Sequence, residues 1–183
     1  MKFGQTVLVV ALALGGISAP IAAQELDTAR IEAGLQLFKS VRTECSSCHG
    51  WAGQGKDADN PFSTVEDLLL EYGGPPLVTS TLDRAAMIEA IACGRIVGIK
   101  IMPQYRGDAW TADSPCWGKT TADMAPGERP LRAANSLAPR EIETVVDYIQ
   151  AVYQGKEMTW DWCRKYFDDF QRICEVWREH GIQ

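Results

Sequence analysis

The stretch Thr43-Glu44-Cys45-Ser46-Ser47-Cys48-His49-Gly50 organises the rest of the chain. Cys45 and Cys48 are three positions apart, so their thiols can reach the two vinyl groups of one haem. His49 follows directly and is carried under the iron as the two thioethers form. Cys-x-x-Cys-His is the spacing of c-type haem attachment. The motif therefore predicts one covalently attached haem c, with His49 as a ligand of its iron.

Two other kinds of site also use a Cys-x-x-Cys pair. A structural zinc site needs four ligands, and the second of the two histidines, His180, is far away along the chain. A thioredoxin-like dithiol is expected after a strand in a βαβ unit, whereas the residues around Cys45 favour helix. Both alternatives fit the sequence less well than haem does.

The first 23 residues have the features of a secretory signal. Lys2 is followed by no charged residue until Glu25, and the apolar stretch 7–17 leads into small residues. Cleavage is expected after Ala23, which places the protein in the periplasm. An uncleaved anchor is the alternative, since the uncharged span approaches the ~20 residues that cross a bilayer. Glycine, serine and proline interrupt the second half of that span and favour the cleaved signal.

The composition predicts one globular domain. The chain has 183 residues, of which 46% are hydrophobic and 23% charged, so a packed core is feasible. The formal net charge is −6. Binding to nucleic acid is not expected, because that affinity rests on neutralising phosphates with Lys and Arg. No other stretch of the chain is a candidate membrane span.

Met102 is the best candidate for a second iron ligand. It follows Gly98-Ile99-Lys100-Ile101 and precedes Pro103, so we expect it in a loop from which its thioether projects inwards. Met87 lies on the apolar face of a helix predicted to open at residues 81–83 and to end at Gly94, which indicates a core role. A His/Met pair raises the reduction potential of the iron. The alternative is an open or otherwise ligated iron, for example with His180 from a folded-back tail.

The order of these motifs resembles that of the class I c-type cytochromes, over roughly residues 29–155. The resemblance rests on residues 34–38, the haem motif, Gly74-Pro75-Pro76-Leu77, a helix, Met102-Pro103 and a final helix at 137–149. It implies an all-α cytochrome c fold with His49 as the proximal ligand and Met102 as the distal one. We therefore divide the chain into a signal peptide, 1–23, a cytochrome c domain, 24–155, and a C-terminal extension packed on it, 156–183.

The resemblance also implies two contacts. The carbonyl of Pro75 would accept a hydrogen bond from the second ring nitrogen of His49, which fixes the orientation of the ligand. Gly34 and Phe38 would lie where the first helix crosses the final helix, near Val145 and Tyr148. A close crossing would explain a glycine inside a helix, which otherwise costs about 1 kcal/mol relative to alanine.

Four cysteines remain after haem attachment, and an even number in an exported protein predicts two disulfides. Cys93 and Cys116 flank Met102, and the loop after Met102, residues 105–136, is longer than a small cytochrome needs. A disulfide between these two cysteines would contribute roughly 2–4 kcal/mol and brace the segment that presents Met102.

The other two cysteines, Cys163 and Cys174, belong to an aromatic stripe in the tail with helical spacing. On one straight helix, eleven residues span about 16 Å, whereas a disulfide needs α-carbons within about 7 Å. Either the tail bends near Asp168-Asp169 and joins these two cysteines, or each pairs with Cys93 or Cys116. We favour the bend. The stripe itself packs against the body of the protein or docks to a partner enzyme.

Together these features predict a periplasmic electron carrier rather than an enzyme. Its fold is expected to be all-α, with an extended loop after Met102 and a C-terminal helical extension. Single electrons would pass from a dehydrogenase to a downstream acceptor, and quinoprotein alcohol dehydrogenases are one donor class by analogy. The alternatives are a haem-bearing subunit of a larger redox complex or, if Met102 is not a ligand, a five-coordinate haem enzyme or gas-binding protein.

Overall fold

The computed structural model of the protein describes residues 27–56, 73–98, 100–168 and 171–180, without the side chains of Gln171 and His180. The predicted signal peptide, 1–23, lies outside these residues. The same holds for residues 63–72, where the sequence predicts a short helix, and for most of the loop before them. The elements in chain order are α1 Thr28–Lys39, α2 Cys45–His49, α3 Arg84–Cys93, β1 Arg95–Val97, β2 Lys100–Met102, a 3₁₀ turn Thr121–Asp123, α4 Pro139–Val152, α5 Trp160–Phe167 and α6 Gln171–His180.

The helices begin and end at residues with recognisable local signals. The carboxylates of Asp27 and Asp83 accept the backbone N–H groups of Ala29 and Ala86, at 3.1 and 2.8 Å, and so cap α1 and α3. Gly94 ends α3 with a φ of +68°, which glycine adopts at little cost. Helix α3 begins where the sequence predicts, directly after residues 81–83. No helix within the described ranges is long and apolar enough to cross a membrane.

Helices α1 and α4 cross at Gly34. A methyl group on Gly34 would lie 2.5 Å from the Cβ of Tyr148 and even closer to the carbonyl oxygen of Thr144. The ring of Phe38, one turn further on, is fully buried and lies 5.5 Å from the ring of Tyr148. The predicted crossing is confirmed, and it gives the packing reason for a glycine inside α1.

A buried ion cluster joins three helices and was not predicted. Asp147 of α4 is 3% exposed, and its carboxylate lies 2.5 Å from Arg30 of α1 and 3.0 Å from Arg84, the first residue of α3. Both arginines keep more than a third of their side chain exposed. Two cations shared by one buried carboxylate therefore set the relative positions of α1, α3 and α4.

A two-stranded antiparallel hairpin interrupts the helical pattern. Arg95 pairs with Met102, and Val97 with Lys100. The prediction of a loop at Met102 is wrong: Met102 is the last residue of β2. The β-branched residues on both strands favour extended backbone, and Gly98, with a φ of +61°, begins the turn. The described residues are therefore helical with one short hairpin, rather than helical throughout.

The tail bends, and the cysteines pair as favoured. Helix α5 ends before Asp168, whose φ is +49°. The bend brings the α-carbons of Cys163 and Cys174 to 5.8 Å in a disulfide. A second disulfide joins Cys93 to Cys116, with α-carbons 5.6 Å apart. One disulfide thus closes the bend of the tail, and the other ties the end of α3 to the loop after Met102.

Candidate haem-attachment site

Helix α2 presents the two thiols of the motif on one side. Cys45 and Cys48 are three positions apart on a helix of five residues, so their side chains are neighbours. They are the two of the six cysteines that are not in a disulfide, and both are half-buried. The arrangement fits the attachment of one group through two thioethers, while the remaining thiols are already used.

The imidazole of His49 is held in one orientation. Its Nδ1 lies 2.9 Å from the carbonyl oxygen of Pro75, the contact expected from the sequence. Because a carbonyl only accepts, Nδ1 carries the proton, and Nε2 of the neutral ring keeps its lone pair. Burial lowers the pKa of His49, while the Pro75 hydrogen bond acts in the opposite direction. A neutral, oriented imidazole with a free nitrogen is the form that binds a metal.

The backbone at Gly74 forms a wall against that imidazole. A methyl group on Gly74 would lie 2.8 Å from both Nδ1 and Cε1 of His49. The Gly74 N–H also donates to the carbonyl of Cys48 at 2.9 Å. In the sequence, Gly74 is only part of the Gly74-Pro75-Pro76-Leu77 motif, whereas the structure shows that any side chain there would displace the ring.

The thiol of Cys45 is less acidic than the reactive thiol of a redox-active dithiol. Burial raises its pKa to about 11, against the effect of a hydrogen bond with Thr43. Reactive dithiols instead depend on a lowered pKa, which makes the thiolate available at neutral pH. This observation disfavours the thioredoxin-like alternative.

The described residues do not form a conventional metal cage. Among residues 27–56, 73–98, 100–168 and 171–180, no group of three or more His, Cys, Asp or Glu side chains is arranged to hold a metal ion. Haem needs fewer ligands from protein side chains than a bare metal ion does, because the porphyrin supplies four nitrogen ligands. One imidazole and two thiols are sufficient here.

Tyr105 connects the Met102 segment to the haem motif. Its buried hydroxyl donates to the carbonyl of Thr43, two residues before Cys45. Its backbone N–H donates to the carbonyl of Ile91 in α3 at 3.1 Å. Burial raises the pKa of Tyr105, so it stays a neutral donor at neutral pH. Sequence reasoning missed this residue, and an aromatic residue shortly after Met-Pro was the available signal.

Met102 lies half-buried on the same face of β2 as Lys100, because alternate strand residues share a face. The Nζ of Lys100 is 3.7 Å from the position of a Cβ on Gly73, next to Gly74 and the His49 ring. This face of the hairpin is therefore turned towards the segment that holds His49.

The other candidate ligands are Met87 and His180. Met87 is enclosed in the core, as predicted. The structure does not describe the side chain of His180.

The aromatic residues of the tail pack beside the haem motif. The ring of Trp51 lies 4.9 Å from that of Phe167 and 6.1 Å from those of Tyr166 and Trp177. Burial raises the pKa of Tyr166, while a hydrogen bond with Ser46 of α2 lowers it. These contacts favour packing on the body of the protein over docking as the role of the stripe.

The described geometry thus brings Cys45, Cys48, His49 and Pro75 together, and it ties the Met102 segment to them through Tyr105. Comparisons with models of protein families, with curated proteins and with solved structures give no match. The function proposed below rests on the residues and their contacts.

Proposed function

We propose that the protein is a periplasmic monohaem c-type cytochrome that carries single electrons from a dehydrogenase to a downstream acceptor. The observation that carries the proposal is the Cys45-x-x-Cys48-His49 motif with the His49 ring held by the carbonyl of Pro75. When bound, haem supplies a reversible one-electron couple. In this proposal the protein does no bond-making chemistry on a substrate.

Each residue of the site has a distinct role in the proposal. Cys45 and Cys48 would attach the porphyrin, and Nε2 of His49 would bind the iron. The Pro75 hydrogen bond keeps the proton on Nδ1 and increases the basicity of the ligand. Met102 would supply a thioether as a second ligand, which favours the reduced state. With His49 and Met102 both bound, no ligand position would remain for a substrate, which favours a carrier over an enzyme.

The rigidity of the surroundings supports the same role. Electron transfer is fastest when little has to move, and the ring of His49 is confined by Gly74 and Pro75. The disulfide Cys93–Cys116 restrains the segment from which β1 and β2 extend. A restrained hairpin would exchange the Met102 ligand slowly.

The test is covalent haem attachment to the full-length chain, expressed in a bacterial host that matures exported cytochromes. We expect one haem per chain that remains bound after acidified acetone extraction. The double variant Cys45→Ala/Cys48→Ala should carry no covalent haem. The matched control, Cys93→Ala/Cys116→Ala, removes the same number of cysteines and should retain the haem. A wild-type protein without haem, or with haem that acetone extracts, would refute the proposal.

The spectrum of the purified protein tests the carrier role. We expect a six-coordinate, low-spin ferric state that dithionite reduces and that a one-electron oxidant reverses completely. Turnover of peroxide, or binding of carbon monoxide by the reduced wild-type protein at a rate limited only by diffusion, would instead indicate an open iron and an enzyme or gas-binding role.

A further inference from the structure

The segment that carries Met102 is hydrogen-bonded to the haem motif through one side chain, Tyr105. The hydroxyl of Tyr105 donates to the carbonyl of Thr43, two residues before Cys45. Among the described residues, no other hydrogen bond joins the segment 95–106 to residues 43–50. Tyr105 follows Met102 by three residues, so their α-carbons are at most about 11 Å apart. The bond therefore acts close to the proposed iron ligand.

The residues at both ends of this bond are themselves fixed. Thr43 is 1% exposed, and its N–H and hydroxyl both donate to the carbonyl of Ser40, at 3.1 and 3.2 Å. The N–H of Tyr105 donates to the carbonyl of Ile91 in α3 at 3.1 Å, and its own carbonyl accepts the N–H of Leu137 at 2.8 Å. Because neither end can move freely, the bond fixes the distance between the two segments.

The hairpin depends on what holds its two ends. Its strands have three residues each; those of β1 are exposed and those of β2 are half-buried. A two-stranded hairpin of this size is at best marginally stable by itself. The disulfide of Cys93 lies just before β1, and Tyr105 lies just after β2. The covalent bond restrains one end, and the Tyr105 hydroxyl restrains the other.

Another buried tyrosine provides the comparison. Tyr148 is fully buried, and its hydroxyl lies 2.7 Å from that of Tyr153, five residues further along the chain. The hydroxyl of Tyr153 also donates to the carbonyl of Trp51 at 2.7 Å. Removing the Tyr148 hydroxyl therefore breaks a buried hydrogen bond of the same kind without affecting the contact between Tyr105 and Thr43.

We propose that Tyr105 is a positioning residue for Met102. Its bond to Thr43 holds the hairpin against the haem motif and keeps the thioether of Met102 available to the iron. Without the hydroxyl, the end of β2 opens more often, and an external ligand takes the place of Met102. The proposal deepens the proposed function and rests on it, because it concerns Met102 as an iron ligand.

The first test is an imidazole titration of the ferric full-length protein. Imidazole replaces the thioether without a change in oxidation state, and it binds only when Met102 has left. We expect Tyr105→Phe to bind imidazole roughly tenfold more tightly than the wild type, since one buried hydrogen bond no longer opposes the opening. Tyr148→Phe should keep the wild-type affinity. Equal tightening in the two variants would overturn the proposal.

A double variant separates positioning of Met102 from a general loosening of the site. In Met102→Ala no thioether has to be displaced, so adding Tyr105→Phe should leave the imidazole affinity unchanged. If the same tightening appears with and without Met102, Tyr105 does not act through this ligand, and the proposal is wrong.

The second test needs no haem spectrum. Amide hydrogen exchange of the full-length protein, read by mass spectrometry, reports local opening of the peptide that spans residues 95–102. Exchange there should be roughly tenfold faster in Tyr105→Phe and unchanged in Tyr148→Phe. A wild-type protein without haem would refute the proposed function. A haem-bearing Tyr105→Phe protein with wild-type imidazole affinity and wild-type exchange would refute the positioning role alone.

Discussion

In the proposed cytochrome, replacing Gly74 with alanine should weaken the bond between His49 and the iron without unfolding the protein. The added methyl group would lie 2.8 Å from two atoms of the imidazole, whereas ordinary carbon contacts are about 3.5–4.0 Å. The ring must therefore move by several tenths of an ångström. That movement lengthens or misaligns the 2.9 Å hydrogen bond to Pro75. Losing such an outer contact typically costs 10–100-fold in metal affinity.

The size of the effect can be read from an acid titration. Protons compete with the iron for Nε2 of His49, so a ligand bond weakened 10–100-fold is displaced at a pH about 1–2 units higher. The midpoint pH rises because a weaker bond to Nε2 is broken at a lower proton concentration. The assay follows the low-spin to high-spin change of the ferric spectrum as the pH falls.

Gly107→Ala is the matched control for this substitution. A methyl group there would meet Ser136 at an ordinary contact distance of 3.4 Å, so its acid midpoint should equal that of the wild type. If Gly74→Ala attaches haem, retains its fold and has the same acid midpoint as the wild type, then the contact of the Gly74 backbone with the ring does not position His49.

Three further predictions concern the second ligand and the helix packing. Met102→Ala should lower the reduction potential and let added imidazole bind the ferric iron, whereas Met124→Ala should do neither; potentiometry and an imidazole titration check this. Gly34→Ala should destabilise the protein by about 1–3 kcal/mol in urea unfolding, despite the better helix propensity of alanine, because its methyl meets the backbone of Thr144. Asp147→Asn should cost about 3 kcal/mol in the same assay, the low end for breaking a buried ion pair, since both partner arginines are partly exposed.

Features that depend on neighbouring residues could be read directly from the sequence. Asp83 caps a helix because its carboxylate needs only to reach an N–H group three residues ahead. The length of eleven helical residues against the reach of a disulfide left two possibilities, a bend in the tail or pairing with Cys93 and Cys116, and the structure has the favoured bend. These conclusions used fixed geometry and no knowledge of the rest of the fold.

The hairpin shows where local reasoning failed. The segment around Met102 was expected to be a loop, because glycine and proline flank it. Strand pairing, however, depends on which other segment lies alongside, and Arg95–Val97 supplied that partner. Cross-strand pairing and burial decide such short β elements more than residue preference does.

The Cys45-x-x-Cys48-His49 spacing could be read from the sequence alone, because which side chains lie side by side on one helical turn depends only on their positions in the chain. Tertiary structure decided what surrounds it. The wall of Gly74 against the His49 ring and the bond from Tyr105 to Thr43 join residues that are 25 and 62 positions apart. Such contacts form because buried polar groups must find partners in the packed interior, and which partners they find depends on the whole fold.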